Sequence, residues 1–229
     1  MNIAIITARG GSKRIPRKNI KDFLGMPIIA YSIEAALASK LFDEVMVSTD
    51  DEEIARIASS LGATVPFLRS SKSSDDFATT VHVLQEVLAS YKALGKEYVY
   101  ACCIYPTAPF VNVENLTKAY ALLTDTTLDS VFPIQRFLFP IQRALVFKEN
   151  KLAWLQPENA IKRSQDLEAT YHDTGQFYFF NVSAFLSSGS LLTANSSGIE
   201  IGEMQAHDID TEEDWKVAEF KYVQLNHPQ

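Results

Sequence analysis

The fold is decided by Ile3-Ala4-Ile5-Ile6 and by the stretch that follows, Ala8-Arg9-Gly10-Gly11-Ser12-Lys13-Arg14-Ile15-Pro16-Arg17-Lys18-Asn19. The apolar run predicts a buried parallel strand, and the two adjacent glycines after it let the backbone approach a ligand closely. Six cations precede the first acid, Asp22, in a chain of formal net charge -7: Arg9, Lys13, Arg14, Arg17, Lys18 and Lys21. Such a cluster suits a polyanion, with a nucleoside triphosphate as the first candidate and a solvated basic loop as the alternative.

The glycine pattern differs from both common phosphate-binding fingerprints. A Walker loop requires Gly, four residues and then Gly-Lys-Ser/Thr, and a dinucleotide-binding junction requires three spaced glycines. Neither spacing is present around Gly10 and Gly11. The pattern therefore counts against a nucleotide-dependent oxidoreductase, which is one alternative function for this chain.

Composition indicates an ordinary globular protein. At 229 residues, with 47% hydrophobic and 21% charged residues, the chain suits one domain spanning 1–229. The pI near 5.1 argues against general binding to nucleic acid or to a membrane surface. The chain has no apolar run of bilayer length and no secretory leader before the first strand, and its two cysteines, Cys102 and Cys103, are adjacent in an apolar run. We therefore expect a cytoplasmic protein with reduced thiols.

Hydrophobic periodicity predicts an alternation of strands and helices. This alternation is typical of an α/β fold with a mostly parallel sheet covered by helices. The predicted strands are 3–6, 44–48, 64–67, 98–104 and 130–133. The predicted helices are 27–39, 51–61, 81–94, 112–123 and 212–223.

Two later segments are expected to lie near the first loop. Ligands of open parallel sheets bind beyond the carboxyl ends of the strands, so the rigid turn Tyr105-Pro106-Thr107-Ala108-Pro109 should lie beside that loop. Near the end of the chain, Asp208 and Asp210 stand two apart on an extended segment and project to one face. Two such carboxylates repel each other unless a cation lies between them, which favours Mg²⁺. The alternative is that Asp210 or Thr211 caps the helix that follows.

The region 135–170 breaks the alternation of strands and helices. Apolar side chains crowd a segment that is otherwise polar, and Lys148-Glu149-Asn150-Lys151 is typical of a hairpin turn. Apolar excess in an excursion from the main sheet often marks a subunit interface. We therefore predict a homodimer, with a flap packed on its own domain as the alternative.

Two motifs resemble those of the CMP-sialic acid synthetase family, the nonulosonic acid cytidylyltransferases. They are the first loop, extended to Ile20, and the segment Asp208-Ile209-Asp210-Thr211, and the likeness covers nearly the whole chain. The resemblance implies a Rossmann-like, three-layer fold of the nucleotide-diphospho-sugar transferase type, with an inserted dimerisation arm at about 135–170. It also implies a nucleotide site formed by Ala8, Arg9, Gly10, Gly11, Ser12, Lys18, Asn19, Arg69, Ala78 and Thr80.

The same resemblance implies where the sugar binds. Tyr105 stands where the family carries a glutamine that touches the sugar, and Arg163 matches an arginine that grips the sugar carboxylate. Gln176 and Tyr178 fall in the strand that completes this pocket. Tyr105 and the segment 163–178 resemble the pseudaminic acid branch of the family, which counts against N-acetylneuraminic acid.

The implied reaction joins CTP to pseudaminic acid and releases pyrophosphate, for synthesis of a flagellin or surface glycan. Arg9 and Lys18 would neutralise phosphate charge, Asp208 and Asp210 would hold Mg²⁺, and Asp208 would lie beside the attacking hydroxyl. One alternative is a transferase for N-acetylneuraminic, legionaminic or a shorter keto-deoxy sugar acid. Another is a non-catalytic, nucleotide-binding regulatory module. The catalytic hypothesis fails if Lys18 and Asp210 lie on opposite faces of the molecule.

Overall fold

The structure is a computed structural model that describes residues 1–74 and 78–226. Asp75 to Phe77, which stand between the predicted nucleotide residues Arg69 and Ala78, lie outside the described residues. The strands are β1 Asn2–Thr7, β2 Asp22–Phe23, β3 Met26–Pro27, β4 Glu44–Ser48, β5 Tyr100–Ile104, β6 Ser130–Arg136, β7 Leu145–Lys148, β8 Lys151–Trp154, β9 Tyr171–Asp173, β10 Phe177–Asn181 and β11 Ser196–Glu200. The helices are α1 Ile28–Ser39, α2 Glu52–Ser60, α3 Thr80–Ala93, α4 Val113–Thr124, α5 Val182–Ser188 and α6 Glu212–Asn226.

The central sheet has seven strands and is mostly parallel. Its order is β11-β6-β10-β5-β1-β4, and β9 pairs with the far end of β6. β1 runs parallel to both β4 and β5, and β6 runs parallel to β11. β10 is antiparallel to both β5 and β6, so it is inserted between strands of the opposite direction. The predicted mostly parallel α/β sheet is therefore confirmed, with β9 and β10 as its antiparallel members.

Alternation along β1 explains why helices cover both faces. Ala4 and Ile6 pack into one buried cluster with side chains of α1, α2 and α4. Ile3 and Ile5 point the other way, into a cluster with side chains of α3 and α5. Because successive residues of a strand face opposite sides, a continuous apolar run needs apolar cover on both. The result is three layers.

One predicted strand is wrong. The expected strand 64–67 makes only a single parallel bridge, from Thr64 to Met46. Backbone bonds join Thr64 N–H to Val45 O and Val47 N–H to Thr64 O, each at 2.9 Å. Pro66 follows two residues later and has no N–H, so the ladder ends there.

The region that the sequence analysis assigned to an arm leaves the main sheet and returns to it. Gln135 and Arg136 still pair with β9, so the excursion begins at Phe137, two residues later than expected. Within it, β7 and β8 form a separate two-stranded sheet. Their turn residues Glu149 and Asn150 both have positive φ, of 49° and 61°, as a tight hairpin turn requires. None of the described helices is both long enough and apolar enough to cross a bilayer.

Candidate active site

Three strands end around one cavity. β1 leads into the loop 8–19, β5 leads into Tyr105, and β4 ends at Ser48, to which Arg69 is bonded. The cavity between them has a volume of about 360 Å³. It is lined by Thr7, Arg9, Ser12, Lys13, Arg14, Ile15, Lys18, Asn19, Arg69, Ser73, Ala78, Thr80, Val83, Tyr105, Pro106 and Thr107. The first loop and the proline turn therefore meet, as the rule for carboxyl strand ends predicts.

The loop cations divide into two groups. Arg9, Lys13, Arg14 and Lys18 line the cavity. Arg17 instead forms ion pairs with Asp51 and Glu53 at the start of α2. Lys21 donates to Glu212 at 2.6 Å and lies 4.6 Å from the centre of the Trp215 ring. The four cations at the cavity thus concentrate positive charge there. Arg17 and Lys21 instead fasten this part of the chain to α2 and α6.

Two aspartates at the end of β4 hold the glycine turn. Asp50 Oδ1 accepts from the Gly10 N–H at 3.0 Å, so this N–H bonds a side chain of the protein, although Gly10 is predicted to belong to the nucleotide site. Asp51 Oδ1 caps α2 by accepting from Glu53 N–H at 2.9 Å and Ile54 N–H at 3.0 Å. The Arg17 guanidinium, opposed by burial and assisted by these backbone bonds, lowers the pKa of Asp51 to about 2. A Cβ on Gly10 would stand only 2.8 Å from Asp51 Oδ2. A side chain at this position would therefore displace the Asp51 carboxylate.

Lys18 and Asp210 meet across the cavity wall. Lys18 Nζ lies 3.6 Å from Asp210 Oδ1 and also donates to the Ile209 carbonyl. Arg14 Nη1 lies 2.7 Å from the other carboxylate oxygen, Asp210 Oδ2. The cationic loop and the aspartate segment, which are separated by most of the chain, therefore share one site. Lys18 and Asp210 do not lie on opposite faces of the molecule, which is the arrangement that would have ruled out the catalytic hypothesis.

Apolar neighbours bring these two segments together. Ile15 in the loop and Ile209 between the aspartates belong to one buried cluster with Phe23, Tyr31 and Trp215. Burying Ile209 turns the flanking Asp208 and Asp210 toward the outer face of this extended segment. Of the two candidate caps of α6, Asp210 and Thr211, it is Thr211 whose hydroxyl accepts from the Asp214 N–H, at 3.2 Å.

Asp208 lies on a second cavity of about 310 Å³, beside Asp173, His207 and Lys221. Asp210 lines neither cavity and contacts the cations of the first. Across the described residues, no three His, Cys, Asp or Glu side chains are grouped so as to hold a metal on their own. The two carboxylates therefore offer oxygen ligands for only part of a metal's coordination shell.

The predicted nucleotide residues divide between the cavity wall and its support. Arg69, Ala78 and Thr80 line the cavity, as does Asn19, whose Nδ2 donates to the Arg9 carbonyl at 2.8 Å. Arg69 is buried, which lowers the pKa of its guanidinium, and its Nε donates to Ser48 Oγ at 3.1 Å. Ala8, by contrast, is fully buried, and its N–H donates to the Ser48 carbonyl at 3.0 Å. Gly10 and Gly11 do not line the cavity.

Three of the four predicted sugar residues lie together. The Tyr105 N–H donates to the Gln176 carbonyl at 2.8 Å, and the rings of Tyr105 and Tyr178 are 5.7 Å apart. Burial raises the pKa of both tyrosines, so their hydroxyls remain protonated donors at neutral pH. Gln176 donates to Gln205 O at 2.6 Å, and its buried Oε1 has no hydrogen-bond partner among the described residues. Arg163 lies in the arm, exposed and paired with Asp166 at 2.7 Å.

Sequence reasoning missed several residues of the site. Asp50 and Asp51 follow a parallel strand, so the rule for carboxyl strand ends could have identified them. Arg14 was noted only as one of a group of cations, and nothing in the sequence indicates that it pairs with Asp210. Ser73 and Val83 also line the cavity, and no sequence signal marks them.

Comparisons with known proteins agree with this geometry. The family described as "Cytidylyltransferase" matches residues 3–222. A pseudaminic acid cytidylyltransferase of Campylobacter jejuni is 43% identical over 227 residues, covering 99% of this chain and 97% of the relative. A CMP-N,N'-diacetyllegionaminic acid synthase of Legionella pneumophila is 32% identical, covering 98% and 97%. A solved CMP:2-keto-3-deoxy-manno-octonic acid synthetase in complex with CTP shares the fold with a TM-score of 0.72, at 16% identity and covering 98% and 99%.

These comparisons confirm the predicted fold type, the resemblance to nonulosonic acid cytidylyltransferases and the expectation of a nucleotidyltransferase. The likeness to the solved structure concerns the fold alone. The matched family, by contrast, spans both the cationic loop and the paired aspartates. The chain belongs to the cytidylyltransferase family.

Proposed function

We propose that this enzyme joins CTP to pseudaminic acid, giving CMP-pseudaminic acid and pyrophosphate. The observation that carries the proposal is the meeting of Lys18 with Asp210, 3.6 Å apart at the wall of a cationic cavity. The full-length relative at 43% identity, a pseudaminic acid cytidylyltransferase, supports the choice of sugar. CMP-pseudaminic acid would serve synthesis of a flagellin or surface glycan.

The cavity suits a nucleoside triphosphate. Its cations Arg9, Arg14 and Lys18 would neutralise the phosphates, with Ser12 beside them. The buried Arg69, Ala78 and Thr80, which line the same cavity, would hold the base and ribose together with Asn19. Ala8 and Gly10 would contribute indirectly, because their N–H groups bond Ser48 and Asp50 and so fix the position of the loop.

The residues present fit Mg²⁺. Asp208 and Asp210 supply hard oxygen ligands, and Mg²⁺ commonly takes one or two carboxylates and completes its shell with water and substrate phosphates. Bound there, Mg²⁺ would neutralise triphosphate charge and lower the pKa of the attacking hydroxyl. Lys18 lies close enough to Asp210 to orient this carboxylate.

Transfer follows from positioning. The hydroxyl on the anomeric carbon of the sugar attacks the α-phosphorus in line, the bond to the bridging oxygen breaks, and pyrophosphate leaves. Asp208, which lines the second cavity, would accept the hydroxyl proton. Arg9 and Lys18 would stabilise the charge that develops on the leaving pyrophosphate. Tyr105, Gln176 and Tyr178 would hold the sugar.

A homodimer would complete the sugar site. Arg163 stands on the arm and lines neither the cavity at the loop nor the one at Asp208. The arm exposes Phe139 at 84% and Phe147 at 78%, which is unfavourable in water unless another surface covers them. A second copy of the chain would cover them, and Arg163 would reach the sugar bound by the partner subunit.

We also propose a cytoplasmic location, which fits two buried free thiols.

Legionaminic acid is the second candidate substrate. The 32% identical relative named for that sugar is also matched over nearly its full length, so the fold and loop serve both chemistries. The higher identity to the pseudaminic relative and Tyr105, in place of the family's glutamine, favour pseudaminic acid.

A substrate panel tests the proposal. The purified enzyme is given CTP, Mg²⁺ and, separately, pseudaminic, legionaminic and N-acetylneuraminic acids, and the products are identified by mass with pyrophosphate measured in parallel. We expect CMP-pseudaminic acid to form fastest. Faster turnover of either other acid would contradict the substrate assignment. If no pyrophosphate is released with any of the three acids, the result would indicate a nucleotide-binding regulatory module instead.

A matched pair of lysine variants separates catalysis from loop structure. Lys18→Ala removes a cation at the cavity and should lower turnover on the order of a hundredfold. Lys21→Ala removes a cation of the same segment that pairs with Glu212 outside the cavity, and turnover should change little. Equal losses in both variants would contradict the role of Lys18.

A further inference from the structure

Asp210 is already neutralised by the loop. Arg14 Nη1 lies 2.7 Å from Oδ2, and Lys18 Nζ lies 3.6 Å from Oδ1, so a cation stands at each oxygen of the carboxylate. Any divalent cation that uses Asp210 must compete with them. The loop that would bind triphosphate and the carboxylate that would bind metal are therefore bonded to each other.

The two cations differ in how firmly they are held. The Lys18 side chain is only 18% exposed and is also bonded to the Ile209 carbonyl, so it is fixed beside Asp210. The Arg14 side chain is 69% exposed. An ion pair this open to water contributes roughly 0–1 kcal/mol, so Arg14 can leave at small cost.

Arg14 also has a second place to go. It lines the 360 Å³ cavity together with Arg9, Lys13 and Lys18. A guanidinium matches a phosphate with two parallel hydrogen bonds, which is a stronger pairing than an exposed contact with one carboxylate oxygen. A polyphosphate entering the cavity would therefore draw Arg14 away from Asp210.

We infer that Arg14 is a placeholder for the divalent cation at Asp210 and moves to the triphosphate when nucleotide binds. This inference rests on the proposed function, because it takes Asp210 as a metal ligand. Its consequence is that nucleotide-free enzyme resists metal at Asp210, and that nucleotide binding frees Oδ2 as it brings phosphate ligands. Metal and nucleotide binding are thereby coupled through one side chain.

The test measures the two binding reactions separately in Arg14→Ala. Binding of Mn²⁺, used as the probe cation, is measured without nucleotide by the electron paramagnetic resonance of free Mn²⁺. CTP binding is measured by calorimetry in EDTA without sugar. We expect Mn²⁺ to bind roughly two- to fivefold more tightly than to the wild type, and CTP to bind several-fold more weakly. A merely structural role would weaken both.

Control variants separate the possible outcomes. Lys118→Ala removes a cation of similar exposure, 60% against 69% for Arg14, that pairs with Glu114 at 2.6 Å on α4, and it should leave both affinities unchanged. Adding Asp210→Asn to Arg14→Ala should abolish the gain in Mn²⁺ affinity. If Arg14→Ala binds Mn²⁺ no more tightly than wild type while Asp210→Asn weakens it, the placeholder role is overturned and the metal assignment stands. If Asp210→Asn has no effect on Mn²⁺ binding, both are overturned.

Discussion

Glu44 shows what a single residue contributes at the edge of the sheet opposite the cavity. It begins β4, and its carboxylate accepts from Tyr91 at 2.6 Å, Lys96 at 2.7 Å and Tyr98 at 2.9 Å. Burial alone would raise the pKa of Glu44, but these hydrogen bonds and one from Thr64 outweigh it and lower the pKa to about 2. Glu44 thus joins β4 to α3 and to the segment before β5.

Glu44→Gln should destabilise the fold in a pH-dependent way. Lowering a carboxyl pKa from 4.5 to about 2 corresponds to about 3 kcal/mol of stabilisation. This contribution is fully present above pH 4.5, the unfolded value, and is lost as the pH falls toward 2. Urea unfolding from about pH 7 to about pH 3.5 should therefore show a large deficit in the variant at neutral pH that shrinks with acid.

The matched control for Glu44 is an exposed carboxylate. Glu114→Gln removes the partner of Lys118 on the surface of α4, and its urea midpoint should equal that of the wild type. A deficit of the Glu44 variant that stayed constant with pH would contradict the ionic account and indicate a loss of packing instead.

At the scale of elements, the glycine turn and the start of α2 form one unit. Asp51 caps the helix with the carboxylate that also binds Arg17, and Gly10 packs against that carboxylate. Arg17 itself has a φ of 54°, in the left-handed region, which these ion pairs help to hold. The position of the loop 8–19 therefore depends on a helix cap.

Gly10→Ala should disturb both parts of this unit. The added Cβ stands 2.8 Å from Asp51 Oδ2, and Asp51 cannot yield without weakening its cap and its pair with Arg17. We expect a loss of about 1–3 kcal/mol in the free energy of unfolding of the nucleotide-free protein, measured by urea denaturation.

Gly11→Ala is the matched control for the stability measurement. A Cβ on Gly11 meets nothing within 4 Å, and its stability should change little. Equal destabilisation by both substitutions would show that the loop needs glycine for backbone freedom and that contact with Asp51 is not the cause.

At the scale of the whole molecule, the arm is the feature on which the proposed dimer depends. Its hairpin is a separate sheet, large apolar side chains on it face water, and Arg163, a predicted sugar ligand, is exposed there and paired with Asp166. A protein of this size usually covers an apolar surface of this kind with another surface.

Replacing Phe139 and Phe147 together by serine should convert the proposed dimer to a monomer, because both rings would lose the apolar cover that favours association. Light scattering coupled to gel filtration measures the mass. Turnover should fall with it, since Arg163 would no longer reach a partner.

Leu94→Ser changes a single exposed apolar residue at the end of α3 and should leave the mass unchanged. A wild-type protein that ran as a monomer at micromolar concentration would remove the dimer from the proposed function.

Much of this architecture could be predicted from residues. The run Ile3–Ile6 predicts a buried parallel strand because every residue is apolar, and the structure places successive side chains on opposite faces. The hairpin turn at Glu149 and Asn150 is local, so the sequence predicts it. The expected strand at Thr64 is wrong because its apolar residues favour a strand, whereas Pro66 has no backbone N–H to donate to the next strand.

The sequence by itself determined the α/β class, the cationic loop and the aspartate pair, since each depends on side chains close together in the chain. Only the tertiary structure decided which cations face the cavity, because Arg17 and Lys18 look alike in sequence yet pair with α2 and with Asp210. It also decided that the loop meets the aspartates, through the buried contact of Ile15 and Ile209 in one cluster. Such contacts depend on how distant apolar side chains fill the same space, and no local pattern encodes that.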